Sequence, residues 1–230
     1  MSQTINIAEN IRQIQQKIAH CVRKYPDANQ QVQLLAVSKT KPVELIKQAY
    51  AAGQKNFAES YLQEALAKIS QLQSLPLCWH FIGHIQANKT RDLAQHFHWV
   101  HSVDRLKIAR RLSEQRSTDL PPLNICLQIN VRGESSKSGI SLNELPQLAR
   151  EVAAWPNLNL RGLMAIPERA ETLPQQCALF QPLREALAQL NASGLKLDTL
   201  SIGMSNDMEA AIAEGATMVR IGSAIFGARE

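Results

Sequence analysis

Residues 34–42 read Leu34-Leu35-Ala36-Val37-Ser38-Lys39-Thr40-Lys41-Pro42. Four apolar residues in a row, with no polar alternation, suit a strand buried on both faces. The polar residues that follow, and a proline of the kind favoured near a first helical turn, predict that this strand stops abruptly and hands over to a helix. The same unit recurs along the chain. Strands are predicted at Leu34 to Val37, Lys55 to Ala58, Cys78 to Ile82, Trp99 to Ser102, Leu123 to Asn130, Leu158 to Met164, Thr199 to Ile202 and Met218 to Ile221. Helical patterns alternate with them, which is the signature of repeated βα units. The expected fold is therefore α/β, a single (β/α)8 barrel of the TIM type.

An extra helix is predicted ahead of the barrel, because Ile7, Ile11, Ile14 and Ile18 recur at helical spacing. Helix starts are read at Pro42 and at three pairs of an N-cap with its third-position partner: Ser60 with Gln63, Ser141 with Glu144, and Asn206 with Glu209. The second strand rests mainly on its place in the alternation, since Gln54, Lys55 and Asn56 are polar. Pro182 sits inside the periodic stretch Cys177, Phe180, Leu183, Leu187, Leu190 and should kink or divide that helix, because proline lacks the N–H of the helical ladder.

With 230 residues and 45% hydrophobic side chains, the chain has the size and composition of one barrel domain spanning 1–230. It opens on a polar stretch and an amphipathic pattern, with no long apolar run, so neither a signal peptide nor a membrane span is expected and the protein reads as cytoplasmic. Cys21, Cys78, Cys126 and Cys177 lie far apart, which fits reduced structural thiols better than disulfides or a zinc site. The formal charge of +5 is spread along the chain. Its densest run, Arg105 to Arg116, is interleaved with Leu106, Ala109 and Leu112 and reads as a solvated helix, so no nucleic-acid partner is expected.

In such a barrel the loops after the strands carry the chemistry. Lys39 follows the first strand at the barrel's mouth, where desolvation and the neighbouring charge of Lys41 disfavour its ammonium form, as Schiff-base chemistry requires. An ordinary solvated loop lysine is the bland alternative for that segment alone. Two further segments follow strands seven and eight: Ser201-Ile202-Gly203-Met204-Ser205-Asn206-Asp207 and Arg220-Ile221-Gly222-Ser223-Ala224-Ile225-Phe226-Gly227. Their small residues and hydroxyls suit a phosphate cradle, at the place where barrels commonly hold one. Candidate ligands are Ser201, Met204, Ser205, Gly222 and Ser223. Arg220 stands beside them, able to donate to a pyridine nitrogen or to pair with a carboxylate inside the barrel. His80, His84, His96, His98 and His101 lack the companion ligands of a metal site and are read as satisfied or exposed, with His84 retained as a residue of the mouth.

The chain resembles the YggS/PROSC pyridoxal phosphate homeostasis proteins over nearly its whole length. The likeness is carried by residues 34–42, Trp79-His80-Phe81-Ile82-Gly83, Gln86-Ala87-Asn88-Lys89, Ser136-Lys137-Ser138-Gly139, Arg161-Gly162-Leu163-Met164, Ser201 to Glu209 and Met218 to Gly227. The resemblance implies a fold like the barrel domain of alanine racemase without its second domain. It also implies pyridoxal 5'-phosphate as cofactor, carried by Lys39, with Arg220 on the pyridine nitrogen. Ser205, Gly222 and Ser223 fall at positions it implies for the phosphate, and Lys137 in a loop linked to cofactor handling. The implied role is storage or delivery of the cofactor, with apo-enzymes as possible recipients and no established turnover. Two departures stand out: Phe57-Ala58-Glu59-Ser60 where the family commonly has Phe-Gly-Glu-Asn, and Gly83-His84 where it has Gly-Pro. Shorter than asparagine, Ser60 is expected to give up a contact to the cofactor.

Two rival activities remain open at this point. A racemase needs acid–base groups on both faces of a substrate carbon. Lys39 can serve one face, but Tyr25 and Tyr50 fall near outer helices, Tyr61 is a weak candidate for the other face, and the chain ends soon after the eighth strand, so no further domain is expected to supply that group. A Schiff-base aldolase acting on a sugar phosphate would also use a lysine and a phosphate cradle. Without a dimerising domain, a monomer is expected.

Overall fold

The apolar run at 34–37 forms the first strand of a closed barrel in the computed structural model, which describes residues 5–26, 31–132 and 138–228. Helix α1 (Ile7–Lys24) comes first, and then strands and helices alternate: β1 (Gln33–Val37), α2 (Val43–Ala51), β2 (Asn56–Glu59), α3 (Leu62–Gln71), β3 (Cys78–Phe81), α4 (Thr90–His96), β4 (Trp99–Val103), α5 (Leu106–Gln115) and β5 (Leu123–Gln128). The series ends with α6 (Leu145–Ala153), β6 (Leu158–Met164), α7 (Leu173–Ala192), β7 (Thr199–Ser201), α8 (Met208–Ala213), β8 (Met218–Ile221) and α9 (Ser223–Phe226). The eight strands pair in parallel in chain order, and β1 closes on β8 with Leu35 opposite Arg220 and Ala36 opposite Ile221. The polar second strand is thus a full member of the sheet, held by Phe57 and Ala58 pairing with Ala36 and Val37.

Each strand divides its side chains between two cores, because successive residues face opposite sides. Leu34, Ala36, Phe57, Trp79, Phe81 and Val100 pack outward against the helices, together with the isoleucine stripe Ile7, Ile11, Ile14 and Ile18 of α1. Leu35, Ala58, Trp99, Cys126, Met164 and Met218 fill the barrel. Gly162 is required by the close pairing of β6 with β7: a Cβ there would lie 1.7 Å from the Thr199 carbonyl oxygen. Among the described residues no helix is long and apolar enough to cross a membrane.

Several local expectations are corrected. Helix α3 starts at Leu62 behind Tyr61 without a side-chain cap, and Ser60 Oγ lies 3.3 Å from Lys39 Nζ instead of capping with Gln63. Helix α8 starts behind Asp207. Glu209, read as the partner of Asn206, is drawn away by Lys24 and Tyr25 of the α1 end. Ser141 and Glu144 do bond reciprocally, but in the turn ahead of α6. Helix α7 runs through Pro182 undivided, started by a capping box of Thr172 and Gln175 that the sequence reading missed. Its buried face of Leu179, Phe180, Leu183, Ala186 and Leu190 holds it in one piece despite the missing N–H.

Two histidines lie within the barrel. His80 Nδ1 is 3.0 Å from His101 Nε2, and both side chains are buried. Burial keeps both neutral: it holds His101 at about 3, assisted by the positive charge of Arg220, and it holds His80 well below the ordinary histidine value, with His101 adding to the effect. An unfolded histidine binds its proton near pH ~6.5, so below that point the unfolded chain takes up a proton the native state refuses. Their contribution to stability is complete above pH ~6.5 and falls as the pH drops, by about 1.4 kcal/mol per pH unit for each histidine. Denaturant titrations of the native chain and of His101→Asn at about pH 7 and about pH 5.5 check this. The stability gap between the two proteins should narrow by about 1–1.5 kcal/mol at the lower pH, and a gap independent of pH would contradict it.

Candidate functional site at the barrel mouth

The parity that turns Leu35 and Val37 into the barrel gives Lys39 the same side one residue pair later. Ser38 continues the strand line by donating its amide to Ala58 O (3.0 Å), and Lys41 N closes a turn on Ser38 O (3.0 Å). Lys39 is thereby presented half-buried at the mouth, with Ser60 Oγ accepting from its Nζ. Lys41 Nζ donates to Ala228 O (2.6 Å) beside the same mouth.

The loop after β7 folds back on itself. Gly203 has φ +91°, and a Cβ there would lie 2.5 Å from Ala211 Cβ, so only glycine permits the approach of α8. Asp207 Oδ1 accepts from Met204 N (2.5 Å), and Gly203 O accepts from Arg220 N (2.9 Å), which ties this loop to β8. After β8, Gly222 leads into the short α9, where the Ser223 and Ala224 amides have no intrahelical carbonyl to bond. A Cβ on Gly222 would stand 3.3 Å from Val37 O, so the loops after the first and last strands are close neighbours.

A cavity of about 670 Å³ opens where these loops meet. Lys39, Ser60, Met204, Ser205, Arg220, Gly222 and Ser223 all line it. Ser201 does not; it stands behind, buried, where its backbone and hydroxyl oxygens accept from Arg220 Nη1. Arg220 Nη2 donates to Ala165 O (2.9 Å). These acceptors are all neutral, and burial pulls the guanidinium down to about 10, with Asp207 opposing the shift through space, so it stays cationic at neutral pH. Among the described residues Arg220 donates to no carboxylate, so the alternative of an ion pair inside the barrel is not met there. A buried cation with neutral partners, beside a glycine-and-serine cradle, fits a small ligand that brings negative charge.

The histidines of the barrel interior belong to the same assembly. Arginine can only donate, so Ser201 Oγ accepts from Arg220 (3.0 Å); with both rings neutral and Asn56 Oδ1 able only to accept from His80, the protons run one way along the chain, and Ser201 Oγ donates to His101 Nδ1 (2.9 Å). His101 Nε2 then donates to His80 Nδ1, and His80 Nε2 to Asn56 Oδ1 (3.3 Å). One run of hydrogen bonds thus supports Arg220 from below, a role that histidine spacing could not disclose. Ser38, Glu59, Glu64 and Lys68, packed behind Lys39, were also missed by the sequence reading. His84 is exposed at the mouth with Ser138 Oγ 3.4 Å from its Nδ1, beside a second, smaller cavity. Lys137 lies outside the described residues. Of the remaining histidines, His96 is exposed and His98 accepts from Trp79 N.

Residues 4–230 match the family of the alanine racemase N-terminal domain. The pyridoxal phosphate homeostasis protein of Pseudomonas aeruginosa is 59% identical over 224 residues, covering 97% of this chain and 96% of that protein. Its Escherichia coli counterpart is 50% identical over 228 residues, with 98% and 97% covered. PipY of Synechococcus elongatus, solved with pyridoxal phosphate bound, superposes with a TM-score of 0.80 at 37% identity, over 91% of this chain and all of PipY. Similarity over almost the full length at these identities, joined to a closed barrel with a lysine at its mouth, means that the chain belongs to the pyridoxal phosphate homeostasis proteins of the alanine racemase N-terminal-domain family.

Proposed function

We propose that this chain binds pyridoxal 5'-phosphate at the barrel mouth as a Schiff base on Lys39, and that it acts in cytoplasmic vitamin B6 homeostasis by storing the cofactor or delivering it to apo-enzymes. The observation that carries this reading is the shared cavity: Lys39 comes from one end of the chain, and Arg220, Gly222 and Ser223 come from the other. The bound cofactor in PipY supports the choice of ligand, and the names of the bacterial relatives support the role. The cavity's volume is within the range of small-ligand sites.

When bound, the cofactor supplies an aldehyde for condensation with an amine and a pyridine ring that can accept electrons. Lys39 offers the amine, oriented by Ser60 Oγ. Ser205 and Ser223, with the first amides of α9, offer donors to a phosphate, and Met204 gives an apolar wall. Arg220 spends three of its N–H groups on Ser201 and Ala165, which leaves two of the five for a ligand. Facing the ring nitrogen as a cation, it keeps that nitrogen unprotonated and weakens the ring as an electron sink. That favours holding the cofactor over turning over a substrate. A racemase also needs a second proton carrier, and none of Tyr25, Tyr50 and Tyr61 lines the cavity.

The purified protein should be yellow, and borohydride should fix the chromophore to the peptide containing Lys39. Lys39→Ala should lose the colour and bind the cofactor at least about tenfold more weakly. A colourless protein that borohydride links to a sugar phosphate would make it an aldolase, and interconversion of alanine enantiomers lost in Lys39→Ala would make it a racemase.

Loaded protein mixed with an apo-enzyme should activate it faster than the same protein held behind a dialysis membrane. Equal rates would mean release into solution in place of handover. Sedimentation should report a monomer.

A further inference from the structure

Thr40 has φ +63°, and among the described residues it is the one non-glycine in the left-handed region. The turn from Ser38 to Lys41 is closed by Lys41 N on Ser38 O, so Thr40 holds the third position, which in a turn with this φ normally requires glycine. A β-branched residue there is strained and persists only where its surroundings over-determine it.

The surroundings are a buried cluster of charges on β2 and α3. Lys68 is 5% exposed. Its ammonium donates to Ser38 O (2.7 Å), Glu59 Oε1 (2.8 Å) and Glu64 Oε1 (2.5 Å), which uses all three of its hydrogens. Glu64 Oε1 in turn accepts from Thr40 N (2.6 Å), and Glu59 Oε1 from Ser38 Oγ (2.6 Å). The residues on both sides of Lys39 are therefore gripped by one interlocked group. Glu59 is fully buried with Oε2 unpartnered, and burial pushes its carboxyl up while Lys68 pulls it down, so the cluster depends on the Lys68 charge.

We propose that Lys68, acting with Glu64, is the positioning residue for Lys39: it clamps the strained Ser38–Lys41 turn so that the Lys39 amine points across the mouth toward the cradle. Lys68 does not line the cavity; it reaches the turn directly at Ser38 O, through Glu64 at Thr40 N and through Glu59 at the Ser38 hydroxyl. The inference rests on the reading of Lys39 as the Schiff-base lysine.

The test compares two ligands, pyridoxal 5'-phosphate and pyridoxine 5'-phosphate, which has an alcohol in place of the aldehyde and so reads the cradle without Lys39. In Lys68→Met and in Glu64→Ala, affinity for the aldehyde should fall about tenfold while affinity for the alcohol stays within about twofold. Thr40→Gly relieves the strain, so in the Lys68→Met background it should restore most of the loss. Should Lys68→Met fail to fold, Glu64→Ala and its pairing with Thr40→Gly carry the test alone, since Glu64 is only part-buried. Parallel weakening of both ligands, no loss in either variant, or no rescue by Thr40→Gly would overturn the proposal. Lys39→Ala separates the two readings: if it leaves the ratio of the two affinities unchanged, the Schiff-base reading itself fails. If it collapses the ratio while the Lys68 and Glu64 variants do not, only the positioning role falls.

Discussion

The pairing of β1 with β8 is the constraint on which the rest of this molecule depends. With Leu35 opposite Arg220 and Ala36 opposite Ile221, the ends of the first and last strands come out side by side. Lys39 follows one and the Gly222-Ser223 turn follows the other. A Cβ added at Gly222 would already press on Val37 O, so the two loops run close together, and a shift of register by one residue would turn Arg220 out of the barrel and part the amine from the cradle.

Around that seam the protein keeps its two important basic side chains, Arg220 and Lys39, in opposite environments. Arg220 is buried among neutral oxygens and backed by the Ser201, His101, His80 hydrogen-bond run, which fixes its direction without lending it a negative charge. Behind Lys39 stand Glu59, Glu64 and Lys68, which hold the backbone and keep their charges largely to one another. A site arranged this way combines a guanidinium held by neutral oxygens with a lysine whose backbone is mechanically fixed. Such an arrangement suits retention of a small anionic aldehyde.

The strand pattern was legible because burial on both faces of a parallel strand leaves unbroken apolar runs, and β6 and β8 came out with the bounds expected. The weak second strand was recoverable only from its place in the alternation, since pairing with Ala36 and Val37 overrides its polar letters. Caps were read less well: Ser60 and Glu209 had partners from distant segments that a local motif cannot include. Six of the seven residues expected to bind the cofactor line one cavity, and Ser201 stands behind it because alternation at the end of β7 turns it toward Arg220 and His101.

The sequence by itself determined the alternation of strand and helix, the number of strands, and which loops carry a lysine, small residues and hydroxyls. These are local properties, set by side-chain size, charge and periodicity along a few neighbouring residues. Only the tertiary structure decided that the loops after the first and last strands share one cavity, that two histidines support Arg220, and that Lys68 grips the turn of Lys39. Those contacts depend on barrel closure and on hydrogen-bond geometry between residues far apart in the chain, and no short stretch of sequence encodes them.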